Sequence, residues 1–379
     1  MIRTSGQSAD PPRHFAGLDG IRGLAILMVV FSHFIIVGGD MNAERPLHRL
    51  LMSGHLGVDL FFVLSGFLIT GILIEGKRST NYFTAFYARR ALRIFPLYFG
   101  VLICGWLSVV FLTPQDIPRL SGQDSYAWHW LYASNIGIGF KGTWLNSPTW
   151  VELSHFWSLA IEEQFYLFWP LLVFLLPVKW LERLCLVLIL SSPLILPVLY
   201  HYQGNIATYV STLGRLGELT AGAWLAIAIR KPVVWVVLHR YVGILAAVTA
   251  VALLLERSVF PILKPIEQTA MMLLSVACVG IATDSGNRVT RVVFQSGMLR
   301  WLGTYSYGIY VYHHVFKNAW RQFLWNGWIL PTVGPGWIAK MLYILSAGGI
   351  TLGLAWISWK FFEAPILSLK SKVNYRFKE

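Results

Sequence analysis

Charge is what this sequence has least of. Only 13% of its 379 residues are Asp, Glu, Lys or Arg, about half of the roughly 25% usual in soluble domains. Acidic residues are the scarcer kind, 18 against 31 basic ones. Cysteine is scarce too. Cys104, Cys185 and Cys278 lie far apart inside apolar blocks, which excludes a disulfide framework and a zinc-type spacing. There is no HExxH-type pattern, so no metal is assigned. There is no GxSxG elbow of a serine hydrolase either. Low-complexity linkers, internal repeats and a second soluble domain are likewise missing.

What is present is apolar. Hydrophobic residues make up 56% of the chain and aromatic residues 15%. The apolar material comes in blocks close to the 20 or so residues that cross about 30 Å of hydrocarbon. Seventeen Trp and sixteen Tyr suit the aromatic belts of membrane interfaces. The composition is that of an all-α polytopic membrane protein. Ten spans are expected, near residues 18–37, 56–74, 94–112, 157–177, 184–200, 212–229, 241–256, 268–283, 302–317 and 338–362. A run over 126–140 is too short to cross and reads as a re-entrant or interfacial segment. The first block is too long for a signal-peptide core and is read as a retained span.

The net charge of +13 need not mean nucleic acid. With the N-terminus inside, most Lys and Arg fall in the terminal segments and in alternate loops, which sets both termini in the cytoplasm. The organisation expected is an N-terminal tail over 1–17, a membrane domain over 18–362 and a basic tail over 363–379. The longest stretch outside a span, 113–156, mixes Trp and Tyr with Asn, Ser and Gly. Aromatic faces interleaved with amides and hydroxyls suit sugar rings.

Four clusters carry chemistry. The first is LDGIRGLAILMVVFSHF, residues 18–34. The 11 positions from Arg22 to His33 make three helical turns plus about 20°, so Asp19, Arg22 and His33 share one stripe. His33 then lies about 16 Å beyond Arg22 along the axis. Arg22 by itself would snorkel to the headgroups, but His33 is too deep to do so, and the stripe must face protein or a wet cavity. The second cluster is FYARRALRIFPLY, residues 86–98, where Arg90 and Arg93 share a face. Two guanidinium forks there would clamp a phosphate, although positive-inside bias also explains them. In SHFWSLAIEEQFYLFWP, residues 154–170, Glu162 and Glu163 lie within a span near its expected outer end. One of these adjacent carboxylates must face protein, as a base or as the orienter of a histidine. Arg215 and Glu218, i and i+3, would pair with each other. The last is GTYSYGIYVYHH, residues 303–314, in which Ser306, Tyr310 and His313 form one polar stripe and His314 follows.

Taken in order, these segments, with GHLGVDLFFVLSGFLIT at 54–70 between the first two and FFEAP at 361–365 after the last, resemble the acyltransferase 3 family of integral-membrane O-acyltransferases. The resemblance covers nearly the whole chain. It implies transfer of an acyl group, commonly acetyl, from cytoplasmic acyl-CoA to a hydroxyl. The acceptor would be an extracytoplasmic polysaccharide, lipopolysaccharide, peptidoglycan or glycolipid at a bacterial inner membrane. The family's arginine-x10-histidine pattern falls on Arg22 and His33, its arginine pair on Arg90 and Arg93, and its carboxylate after WSL on Glu162. The resemblance thus implies that Arg90 and Arg93 hold the CoA phosphates and that His33 acts as general base or as nucleophile. Asp19 would pair with Arg22, and Glu162 would hold His33 or the acceptor. Arg215, Tyr310, His313 and Glu163 complete the expected substrate-binding set. Some relatives carry a fused extracytoplasmic domain. Here the sequence ends about 17 residues after the last expected span, so transfer is expected to finish within the membrane unit. A transporter with a buried Asp/Arg/His/Glu relay is the competing reading, and it would move its substrate without consuming acyl-CoA.

Overall fold

The computed structural model describes residues 15–37, 54, 56–112, 126–145, 151–231 and 264–378, with scattered positions between 234 and 251. Ten helices define it: α1 (Ala16–Ile35), α2 (Leu56–Gly76), α3 (Tyr82–Leu112), α4 (Ser134–Lys141), α5 (Trp157–Leu175), α6 (Val178–Tyr209), α7 (Thr212–Ala228), α8 (Lys264–Ala282), α9 (Gly297–Val315) and α10 (Trp337–Ser358). Among the described residues there is no strand, and one isolated antiparallel bridge joins Ser79 to Phe377.

Seven of these helices are long and apolar enough to cross a membrane: α1, α2, α3, α5, α6, α8 and α10. The chain is an integral membrane protein. The expected spans at 212–229 and 302–317 are helices too, but α7 has only 17 residues and α9 is rich in Tyr and His. Both lie among other helices, and a helix shielded from lipid needs no continuous apolar surface. Of the expected span 241–256 only 241, 243–245 and 247–251 are described, all helical, and the loop 113–156 is described over 126–145 and 151–156. Residues 126–130 and α4 form two short helical pieces, as suits an interfacial or re-entrant segment.

The third span differs from expectation at its start. It begins at Tyr82, not at 94, so the arginines ride on the helix instead of preceding it. Tertiary bonds hold this charged end in place. The Tyr82 hydroxyl donates to the Pro170 carbonyl at 3.0 Å and the Tyr87 hydroxyl to Leu167 at 2.8 Å. The basic C-terminal segment is docked as well. Arg89 donates to the Val373 carbonyl and the Asn374 amide oxygen, both at 3.1 Å, and Asn81 donates to the Asn374 carbonyl at 2.9 Å.

The site depends on how closely α9 and the turn before it approach α1, and on how closely α7 approaches α2. A Cβ built on Gly20 or Gly23 of α1 would strike the backbone carbonyls of Phe294 and Leu299, and one on Gly303 of α9 would strike the Asp19 carbonyl. Gly66 and Gly222 play the same part between α2 and α7, against Leu219 and Val63. Without a hydrophobic drive between helices in lipid, such close backbone approach supplies the dispersion contacts that hold them together. A hydrogen-bonded ring ties the rim. Gln164 donates to Asn135 at 2.9 Å, Asn135 to Thr212 at 2.9 Å, and Thr212 back to Gln164 at 2.5 Å.

These contacts predict a contrast between glycines. Gly20→Leu should lower stability by about 1–3 kcal/mol or more, the usual cost of overpacking. Gly100→Ala on α3, where an added Cβ meets nothing, should be neutral or gain up to about 1 kcal/mol of helix propensity. Thermal unfolding of both variants in one detergent measures the difference.

Candidate active site

The polar residues of the bundle gather into two cavities that share a wall. One, of about 120 Å³, is lined by Arg22 from α1, Arg90 and Arg93 from α3, Glu162 and Tyr166 from α5, and Tyr307 from α9. The other, of about 520 Å³, is lined by His33, Asp59, His155, Arg215, His314 and Lys317, among others. Val58 and Tyr310 line both. The stripe read on α1 therefore serves two chambers, Arg22 in one and His33 in the other.

In the arginine cavity, Arg22 donates to Asp19 at 2.7 Å, the pairing expected from the sequence. Arg90 stacks on the Tyr166 ring, 4.4 Å from its centroid. Among the described residues neither Arg90 nor Arg93 forms an ion pair. Glu162 accepts from the Tyr166 hydroxyl at 3.0 Å, and that hydroxyl also bonds Ser65. Arg22, Arg90 and Arg93 all act electrostatically on Glu162, and Glu163 and Glu363 lie within electrostatic reach of Arg90 and Arg93. Lys370 and Arg89 extend the cationic field towards the docked C-terminal segment. Glu162 thus sits with the arginines and not beside His33. It leaves its helix on the Tyr166 face, one turn earlier, and lines the arginine cavity. Glu163 points elsewhere, with Oε1 buried and without a hydrogen-bond partner among the described residues.

The second cavity is a histidine chamber. His33 Nδ1 lies 2.8 Å from His313 Nε2, and the two rings stack within 5° of parallel. His313 Nδ1 lies 2.6 Å from the Tyr310 carbonyl oxygen. A carbonyl only accepts, so His313 carries its proton on Nδ1 and presents a lone pair at Nε2. His33 must then donate from Nδ1, which leaves the lone pair of a neutral His33 on Nε2. His314 packs edge-on to His33, with centroids 4.9 Å apart, and His155 lies 4.6 Å from His314. Among the described residues no group of His, Cys, Asp and Glu has the arrangement to hold a metal ion.

Tyr310 forms the partition. Its hydroxyl donates to the His155 carbonyl at 2.7 Å and meets Ser158 Oγ at 2.5 Å. Arg215 is 1% exposed and braces the far wall. It donates to Asp59 at 2.6 Å, to Glu218 at 3.0 Å and to the Tyr209 carbonyl at 2.8 Å. Gln268 donates to the same Glu218 oxygen at 2.9 Å. The i,i+3 pair read from the sequence is present, but its tighter partner is Asp59 on α2. Sequence reasoning passed over Asp59, Ser65, His155, Ser158 and Tyr166. A lone carboxylate in the apolar run LGVDLFF was a usable signal, since an ionisable group inside a span needs a partner. The others carry no signal of their own.

An integral membrane bundle that sets a guanidinium cavity against an imidazole cavity is a recognisable class. The chain belongs to the acyltransferase family whose acyltransferase-domain model matches residues 15–360. It is similar to the peptidoglycan O-acetyltransferase OatA of Listeria monocytogenes, at 28% identity over 97% of this chain and 57% of the relative. It is also similar to the O-acetyltransferase OatA of Staphylococcus aureus, at 28% over 94% of this chain and 57% of the relative. The putative peptidoglycan O-acetyltransferase YrhL of Bacillus subtilis is 30% identical over 80% of this chain and 48% of the relative. The chain thus spans about half the length of the curated relatives it matches. No solved structure gives a significant match.

The buried ion cluster predicts a stability effect apart from chemistry. Removing one member of a buried pair typically costs about 3–5 kcal/mol, because the other charge is left uncompensated. Asp59→Asn should therefore unfold at markedly lower temperature. Lys231→Ala, which removes the more exposed partner of a pair with Glu182 (42% and 17% exposed), should change stability by less than about 1 kcal/mol.

Proposed function

We propose that this protein is a membrane O-acyltransferase, acetyl being the first acyl group to test. It would carry that group from cytoplasmic acyl-CoA to a hydroxyl of an extracytoplasmic carbohydrate such as peptidoglycan, lipopolysaccharide or a glycolipid. The observation that carries this reading is the shared wall at Tyr310 and Val58 between a cationic and a histidine chamber. A reaction between a phosphate-bearing donor and a neutral hydroxyl needs these two environments side by side.

In this reading both termini are cytoplasmic, residues 18–362 form the catalytic unit in the inner membrane, and 363–379 belong to its cytoplasmic face. Unpaired guanidinium groups are suited to phosphate, which they hold by two parallel hydrogen bonds. Arg90 and Arg93 would take that role, with Arg89 and Lys370 at the mouth. The arginine cavity is small, so the nucleotide stays at the mouth and only the thin thioester arm enters. Arg22, fixed by Asp19, and Glu162, fixed by Tyr166, line that path. The arm reaches the partition, where the thioester faces the histidine chamber.

The chamber's volume of about 520 Å³ falls within the roughly 300–1,000 Å³ of small-molecule pockets. Its carboxylates, amides and aromatic walls suit a carbohydrate. His33 Nε2 takes the proton of the acceptor hydroxyl as the new C–O bond forms, and the C–S bond then breaks to release the CoA thiolate. His313 holds the ring and its tautomer, much as a triad's third member orients its base. Direct attack by His33 on the acyl carbon gives the same products through an acyl-imidazole.

Purified protein with acetyl-CoA labelled in the acetyl group tests the reading, with peptidoglycan fragments or lipopolysaccharide as acceptor. Wild type should transfer label, and His33→Ala should lose about 10²–10⁴-fold, the usual worth of a general base. Arg90→Met should chiefly raise KM for the donor, because it removes binding that ground and transition states share. A folded wild type that turns over neither acetyl-CoA nor longer acyl-CoAs rejects the proposal and favours a transporter.

A further inference from the structure

His155 is 4% exposed, and among the described residues neither ring nitrogen has a hydrogen-bond partner. Burying one polar group unpaired is costly, and this ring buries two. Its place in the fold is defined from several sides. The 3₁₀ turn Ser154–Phe156 carries it into α5. Its backbone carbonyl accepts from the Tyr310 hydroxyl of the partition. Its ring lies 5.1 Å from the Tyr310 ring, 4.6 Å from His314 and 5.5 Å from His313, and it lines the histidine chamber. The polar groups around it are His33, His129, His313 and Lys317, with no carboxylate among those that act most strongly on it. His33 is already tied through Nδ1 to His313, so the two imidazoles differ in kind. One is oriented for proton transfer, and the other waits with an N–H unused.

We infer that His155 is the hydrogen-bond donor for the acyl carbonyl oxygen as the thioester passes the Tyr310 partition. The inference rests on the acyl-transfer reading and deepens it. A neutral imidazole has one N–H, and no acceptor competes for that of His155. When the acceptor oxygen adds to the acyl carbon, negative charge grows on the carbonyl oxygen. An N–H already in place stabilises that charge without reorganisation. As the tetrahedral centre collapses, the C–O double bond reforms, the C–S bond breaks and the thiolate leaves with the electron pair. His155 keeps its proton throughout. The acceptor proton goes to His33. The unpaired state of His155 is then the cost of holding a donor ready for an oxygen that arrives only with substrate.

The test combines stability with kinetics on the full-length protein, using His155→Phe and His155→Gln. Phenylalanine fills the same space without polar atoms, so His155→Phe should unfold at the wild-type temperature or above. Its transfer of acetyl from acetyl-CoA should fall about 10²–10³-fold in kcat, the range for one lost oxyanion donor, with KM for acetyl-CoA little changed. His155→Gln keeps an N–H and should recover at least tenfold of the loss. A His155→Phe protein that melts several degrees lower shows an imidazole paired and structural, and overturns the inference. So does one that transfers at the wild-type rate. A wild-type protein that turns over no acyl-CoA rejects the acyl-transfer reading itself, an outcome separate from an active wild type with an equally active His155→Phe.

Discussion

The arrangement of this protein depends on the distance between α1 and α9. Gly20 and Gly23 on one helix and Gly303 on the other let the backbones touch at Phe294, Leu299 and Asp19. Side chains of ordinary size at these positions would push the axes apart. The stacked pair of His33 and His313 sits farther along the same two helices, at 2.8 Å. A wider separation would break that hydrogen bond and free the His33 ring to rotate. The tautomer of His33 is thus set by the helix packing, through His313 and the Tyr310 carbonyl. Tyr310 belongs to the same turn of α9, so one approach sets both the base and the partition.

The bundle also handles its buried charge in two ways. Arg215 is surrounded by Asp59, Glu218 and the Tyr209 carbonyl, with the Tyr209 ring 4.3 Å away. Each of these groups finds its partner within the fold, which is the arrangement a structural ion cluster needs to offset desolvation. Arg90 and Arg93 are different. Glu162, Glu163 and Glu363 act on them electrostatically, but among the described residues neither forms an ion pair, and Arg90 stacks on Tyr166. Guanidinium forks not engaged by a carboxylate are suited to an anion from outside. The same contrast separates His313, which is bonded on both sides, from His155, which is bonded on neither.

Much of the membrane architecture was legible because span length and apolarity are local properties of the sequence. The boundaries read least well were those where tertiary contacts extend a helix beyond its apolar block. Tyr82 and Tyr87 bond the carbonyls of Pro170 and Leu167, which carries α3 back past its arginines, and no local pattern announces such bonds. Within the site, helical periodicity placed Asp19, Arg22 and His33 on one stripe, and Asp19 does pair with Arg22. Periodicity says nothing about which helix lies opposite. The partner of His33 is 280 residues away, and Glu162, read as near the outer end, belongs with the arginines. Residues such as Ser158 and His155 differ little from interfacial polar residues until the fold brings α9 against them.

One consequence concerns the order of events. Among the described residues the two chambers share Val58 and Tyr310, and the Tyr310 hydroxyl is engaged by both Ser158 and the His155 carbonyl. In the proposed reaction, a partition held by two hydrogen bonds on a packed helix would keep water in the histidine chamber away from a thioester in the arginine cavity. Hydrolysis is the side reaction such an enzyme must suppress, because water is a small nucleophile present in excess. The acyl group therefore has reason to cross only when an acceptor already fills the chamber and excludes that water. On this argument the small arginine cavity and the large histidine chamber form one device. In the proposed reaction the narrow side would admit the donor's reactive end, and the wide side would have to be occupied before the base has a hydroxyl to act on.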